Sequence, residues 1–176
     1  MTLPPPAPPD SAPQALPDEV AAFIQSGLSI TVGGRDDRLI PSIAKGVGCR
    51  VDDQGRQVTV LVFAEAAEAV MRDIAHNRQV SVVFTRPSTN RTVQLKGHDA
   101  LPVPAGPAEA ALVRRHLALL ADDLRLLGWD AHYVNTLFLH DWSQLMAIRF
   151  APHGAFAQTP GPGAGQRMAL QPAGKP

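Results

Sequence analysis

The chain has 176 residues, enough for one domain with a substantial core and too few for two of ordinary size. Its 16 basic residues balance 16 acidic ones, so no overall field draws it to nucleic acid or to an anionic membrane surface, and no apolar run reaches the roughly 18 residues that span a bilayer. The single cysteine, Cys49, excludes an internal disulfide and fits a reducing, cytoplasmic setting.

Residues 1–16 are dominated by proline and alanine, without lysine, arginine or an apolar h-region. They read as a disordered or polyproline-like tail and not as a signal peptide. The folded domain is expected over residues 17–151. Pro17-Asp18-Glu19 opens a helix, with proline in its first turn and two acids at the positive end of its dipole. Val20, Phe23 and Ile24 give that helix a buried stripe and Gly27 stops it. A first strand follows over 28–32, then a turn over Gly33-Gly34-Arg35-Asp36-Asp37. A second strand over 39–51 is disturbed by Gly46 and Gly48, which predict a bulge or a close backbone approach. Asp52 to Gly55 reads as a hairpin turn and 57–63 as a third strand. Val58, Val60 and Val62 alternate there with Thr59, Leu61 and Phe63, so both faces of that strand are expected to be covered.

Residues 65–76 predict a short helix whose stripe is Ala67, Val70, Met71 and Ile74. Two strands then flank a polar loop: Val80, Val82 and Phe84 share one face of the first, and Val93 and Leu95 alternate with Thr92, Gln94 and Lys96 on the second. Pro87 confines Arg86 to Arg91 to the loop. That loop carries two guanidiniums and two hydroxyls, and arginine forks match the oxygens of a phosphate. Residues 102–107 read as a proline-rich turn and 108–127 as the clearest helix, with Leu112, Leu119, Leu120, Leu124 and Leu127 at helical spacing. Arg114, Arg115 and His116 are expected on its solvated or interface side. A last strand is expected over 142–150, and a flexible glycine- and proline-rich tail over 152–176.

The order of elements, with the segments Ser42-Ile-Ala-Lys-Gly46, Val58 to Phe63, Asp73 to Phe84 and Arg91-Thr-Val-Gln-Leu-Lys-Gly97, resembles the pyridoxamine 5'-phosphate oxidase-like FMN-binding split-barrel superfamily. The likeness spans roughly residues 17–150. It implies a mainly β, α+β split barrel of about six antiparallel strands with flanking helices. It also implies a homodimer with FMN at the subunit interface and a small-molecule substrate the sequence does not define. The implied activity is that of a flavin-dependent oxidoreductase. The active-site and C-terminal arginine signatures of true pyridoxamine phosphate oxidases are missing. The family holds phosphate with basic and hydroxyl residues, which implies Lys45, Thr59, Arg91 and Thr92 here, joined by Arg86, Ser88 and Gln94 from the loop and the strand after it. Where the helix after the third strand commonly offers a phosphate ligand, this chain has Glu68, Ala69 and Val70. On this assignment Arg91→Ala costs about 1.5–3 kcal/mol of FMN binding, and Val70→Lys improves it.

Two other readings stay open: a split-barrel protein that binds another ligand, such as haem or a deazaflavin, and a cofactor-free dimeric module. A haem reading requires an axial ligand, for which His140 or His153 near the end of the chain is the candidate; the six histidines, 76, 98, 116, 132, 140 and 153, lack the spacing of a protein-built metal site. Gly46-Val-Gly48 and the glycines at 161, 163 and 165 do not fit a dinucleotide fingerprint. Cys49 is expected to be a buried thiol.

Overall fold

The structure, a computed structural model, describes residues 14–172 except 53, 131, 133–135 and 137–140. In chain order the strands and α-helices are β1 (Gln14–Ala15), α1 (Asp18–Ile24), β2 (Ser29–Arg35), β3 (Pro41–Gly46), β4 (Gly48–Val51), β5 (Val58–Phe63), α2 (Glu68–Asn77), β6 (Val80–Thr85), β7 (Thr92–Gly97), β8 (Leu101–Pro104), α3 (Pro107–Arg125), β9 (Leu145–Phe150), β10 (Gly154–Ala157), β11 (Arg167–Met168) and β12 (Gln171–Pro172). They build a six-stranded sheet in the order β11-β10-β7-β6-β2-β3, a four-stranded sheet in the order β4-β5-β9-β8, and the small pair β1-β12. Every pairing is antiparallel.

The two large sheets share one core. Val32, Val82, Phe84 and Leu95 from the first sheet meet Val58, Val60, Val62 and Ile148 from the second, together with Ile24 of α1 and Val70 and Ile74 of α2. On the other side of β5, Leu61 and Phe63 pack with Val113 of α3 in a smaller cluster. All six residues of β5 are therefore buried, as its two apolar faces predict.

Several expectations change on contact with the tertiary structure. The stretch 39–51 is two strands in different sheets, because the chain crosses between sheets at Val47. Its glycines permit the crossing: a Cβ on Gly46 would lie 2.5 Å from Ile30 Cγ2, and one on Gly48 would lie 2.9 Å from Leu112 Cδ2. β2 runs on through Gly33, Gly34 and Arg35, which were expected in a turn, since β3 pairs with all three and β6 pairs with Gly33 on the other side. Pro102 and Pro104 sit in β8, where a turn was expected; β8 is an edge strand, and an edge tolerates a missing donor.

Helix α3 buries Val113, His116, Leu120 and Ala121, whereas Leu119 and Leu127 of the expected stripe are exposed. His116 is not on a solvated side. Its Nε2 donates to the Leu28 carbonyl at 2.8 Å, which satisfies the ring inside the protein. The two expected tails are also shorter than residues 1–16 and 152–176. Ala15 and Leu16 are buried, and residues 154–157 pair with β7 while 167–168 pair with β10. Residues 1–13 of the expected N-terminal tail lie outside the described residues.

Candidate functional site

Three neighbouring strands define the site. Alternation along β2, β6 and β7, with the observed register, sets Gly33, Ser81 and Lys96 side by side, flanked by Ile43 of β3 and Gly154 of β10. Two residues further along each strand, Lys45, Thr31, Val83, Gln94 and Phe156 form a parallel row. The intervening Val32, Val82 and Leu95 fill the core, so both rows lie on the outer face of the six-stranded sheet. A cleft of about 500 Å3 opens over the first row, a size suited to a small-molecule ligand.

Arg35, Lys96, His98 and His153 line this cleft, together with Ser42 and Ser81, and among the described residues no carboxylate lines it. Arg35 donates to Gln79 Oε1 at 3.0 Å and to the Asp36 carbonyl at 3.2 Å, neither of which neutralises its charge. The Lys96 ammonium lies 5.0 Å from the centre of the Phe156 ring. The His98 and His153 rings meet edge to face with centres 4.4 Å apart. Partial burial holds the His153 pKa below its ordinary value, and His98, Arg167 and Lys96 push it the same way against the opposing charge of Asp99.

Gly33 bears on the cleft by what it leaves out. A Cβ there would meet no atom closer than 3.6 Å, so packing tolerates a side chain that would then occupy the cleft. Behind the wall, the Ser42 hydroxyl donates to Asp73 Oδ2 at 2.7 Å, and Arg72 donates to Oδ1 through Nε at 3.3 Å and Nη2 at 3.1 Å. The Ser42 bond, with help from Arg72, holds the buried Asp73 carboxyl below the usual carboxylate range in spite of desolvation. Asp73 is thus ionised at neutral pH, and Ser42 offers the cleft an acceptor oxygen, its one proton being committed to Asp73.

The residues proposed from the sequence fall into three places. Lys45 and Gln94 stand on the outer face beside the cleft, where Gln94 donates to Ser81 Oγ at 2.8 Å and accepts from Gln158 at 3.0 Å. Thr92 is buried on that face and its hydroxyl contacts Thr85 Oγ1 and the Asn90 carbonyl. Thr59 belongs to the four-stranded sheet, in register between Arg50 and Arg149, and does not line the cleft.

Arg86, Ser88 and Arg91 are engaged inside the protein. Arg86 donates to Ser26 Oγ at 2.7 Å, and Arg91 donates to Glu19 at 2.6 Å with its guanidinium 4.3 Å from the centre of the Phe23 ring. Ser88 binds both oxygens of Asp123 on α3, through its amide at 3.0 Å and its hydroxyl at 2.6 Å. The basic loop is therefore a clasp that fastens the hairpin to α1 and α3. The family phosphate position does not serve either: Val70 is fully buried in the core and Glu68 is exposed, so a lysine at 70 would face apolar side chains.

Arg35, Ser42, Ser81 and His98 were not singled out as site residues by sequence reasoning, and His153 was named only as a candidate haem axial ligand. Alternation through β6 and β7 carries a signal for Ser81 and Lys96, whereas nothing local joins residues 35, 42 and 153. Cys49 is buried as expected, and burial pushes its thiol pKa up, away from reactivity. Among the described residues no group of three or more histidine, cysteine, aspartate or glutamate side chains could hold a metal ion. His140 lies outside the described residues.

Comparison with solved structures matches this topology. An F420 reductase superposes with a TM-score of 0.51 at 15% identity, over 80% of this chain and 98% of that one. HupZ of Group A Streptococcus superposes with a TM-score of 0.50 at 14% identity, over 85% of this chain and 99% of that one. The fold is a split β-barrel. No protein-family model matches the sequence, and no curated protein matches it. At this level of identity the split barrel is what the chains share, and the cleft has to be read from its own residues.

Proposed function

We propose that this split barrel is a flavin-binding oxidoreductase with FMN as its cofactor, held along the outer face of the six-stranded sheet with its phosphate in the basic cleft. The observation that carries the reading is the set of four cationic or protonatable side chains, Arg35, Lys96, His98 and His153, around a cleft that no carboxylate among the described residues lines. The residues fit such a group: the space left at Gly33 adjoins the two serines, and Thr31, Val83 and Gln94 continue the surface in the next row. A bound flavin supplies hydride or electron transfer. The chain's own residues neutralise the phosphate through Lys96 and Arg35, and orient a donor group of the ligand through the Ser42 oxygen. Lys45 adds a further cation beside the ring-binding surface.

A second copy of the chain completes the site in this reading. Leu39, Ile40 and Ile43 are 68%, 50% and 75% exposed along the β2–β3 hairpin, next to the cleft wall, and such an apolar edge is suited to burial in a dimer. Sedimentation gives the oligomeric state, and a monomer at micromolar concentration removes the second copy from the proposal. The cofactor itself is tested by the absorbance spectrum of the purified protein, followed by titration with FMN and with riboflavin. One FMN bound per chain, and more tightly than riboflavin, supports the reading. A deazaflavin or Soret band in place of flavin bands, or no saturable flavin binding, overturns it.

A further inference from the structure

We propose that the Lys96, His98 and His153 corner of the cleft is a proton-linked oxyanion site, which takes the dianion of a phosphate or sulfate group and gains a proton on His153 as it does so. The inference rests on reading this cleft as the phosphate end of the ligand site, but does not require that the ligand be a flavin.

Three observations lead there. The two imidazoles touch, with ring centres 4.4 Å apart, and both line the same cleft as Lys96. Two charged imidazoles at that distance repel each other, so in the empty cleft the pair resists a second proton. The surrounding charges are mostly cationic: Lys96 on β7, Arg167 on β11, whose Nη2 donates to the His153 carbonyl at 3.1 Å, and Arg35 on β2. Asp99, in the link after β7, is the acid that acts on His153, and its charge is partly committed, because Oδ1 accepts the Ala151 amide at 3.0 Å. Arg78 at the end of α2 donates to the Asp99 carbonyl, which adds another cation to that side.

A doubly charged anion set among these groups reverses the balance. It favours a protonated imidazole at His153, so that group's pKa rises on binding and the complex takes up a proton from solvent. The sign follows: affinity is greatest at low pH and weakens as pH rises through the window between the free and bound pKa values of His153. Lys96 and Arg35 keep their charge throughout, so some affinity persists at alkaline pH. A neutral ligand gains nothing from the same proton.

The test uses the full chain and inorganic sulfate, which stays a dianion across the whole range, at constant ionic strength. Calorimetry in buffers of different ionisation heat counts the protons taken up. Binding is expected to be roughly tenfold tighter at pH 5.5 than at pH 8, the effect of about one pKa unit on one histidine. The His98→Gln/His153→Gln variant is expected to lose the pH dependence, and Lys96→Met to weaken binding at every pH. Sulfate affinity independent of pH, a slope unchanged in the histidine variant, or binding insensitive to Lys96→Met overturns the proposal. Competition with FMN identifies the source of the dianion: displacement of sulfate assigns the corner to the cofactor phosphate, and simultaneous binding assigns it to a separate anionic ligand, either outcome upholding the site. If FMN fails to bind while sulfate binding stays proton-linked, the flavin reading falls and the oxyanion site stands.

Discussion

Two basic regions of this protein look alike in composition and differ in what their charges do. The Arg86–Arg91 loop has two arginines and two hydroxyls, and its side chains are held within the fold: Arg91 has the Glu19 carboxylate and the Phe23 ring, Arg86 is fastened to the neutral Ser26 hydroxyl, and Ser88 has both oxygens of Asp123. The cleft has Arg35, Lys96, His98 and His153, drawn from distant parts of the chain, and among the described residues its lining contains no acid. A cation with an internal partner has little left to give a ligand, whereas one facing an open, acid-free space can still neutralise a charge. The difference lies in the pairing, and pairing is a long-range property.

The largest expected effect concerns a third position, where the family pattern calls for a phosphate ligand. Val70→Lys places an unpaired ammonium in the core and is expected to cost about 3–5 kcal/mol, enough to lose much of the fold, as chemical denaturation would show. Improved flavin affinity in a stable Val70→Lys protein would instead restore the family site.

Next in size, Asp123→Ala removes both bonds that hold Ser88 and is expected to cost about 2 kcal/mol of stability while FMN or sulfate affinity stays constant. A loss of affinity with unchanged stability would make the loop a ligand site and erase the contrast. In the cleft the pattern inverts: Lys96→Met is expected to cost about 1–2 kcal/mol of FMN binding with little change in melting temperature.

A smaller effect separates the histidines of the cleft from the one under α3. His116 is buried and its pKa is lowered chiefly by desolvation, against the pull of the Leu28 carbonyl. A pKa depressed in the folded state contributes stability that is complete above the unfolded value of about 6.5 and declines as pH falls toward the folded value. Resistance to thermal unfolding should therefore fall on acidification below that point, and His116→Gln should flatten this component without altering anion binding. Smallest of all, Arg91→Ala breaks an exposed ion pair and a ring contact, and is expected to cost at most about 1 kcal/mol of stability and to leave FMN affinity within about twofold.

Local periodicity was enough for much of the architecture. The alternation at Val80–Phe84 and Val93–Leu95 placed the hairpin, the doubly apolar run at 58–63 placed the central strand of the second sheet, and the proline and acids at 17–19 placed α1. These signals are legible because each depends on near neighbours: a strand repeats every two residues, and a helix start needs its own first turn.

Tertiary structure decided the rest, for reasons that local pattern does not contain. Whether 39–51 was one strand or two depended on which sheet had room for each half, and whether Pro102 and Pro104 broke a strand depended on its place at an edge. The face of α3 that became buried depended on a carbonyl 88 residues away that could receive the His116 proton. The site followed the same rule. The sequence by itself determined that a basic loop follows β6 and that Lys96 alternates with the core-facing Leu95. Only the folded chain decided that Arg91 would be paired by Glu19 and Arg86 fastened to Ser26, and that residues 35, 42, 81, 96, 98 and 153 would converge. Charge neutralisation depends on distances in space, and those exist only once the sheets have formed.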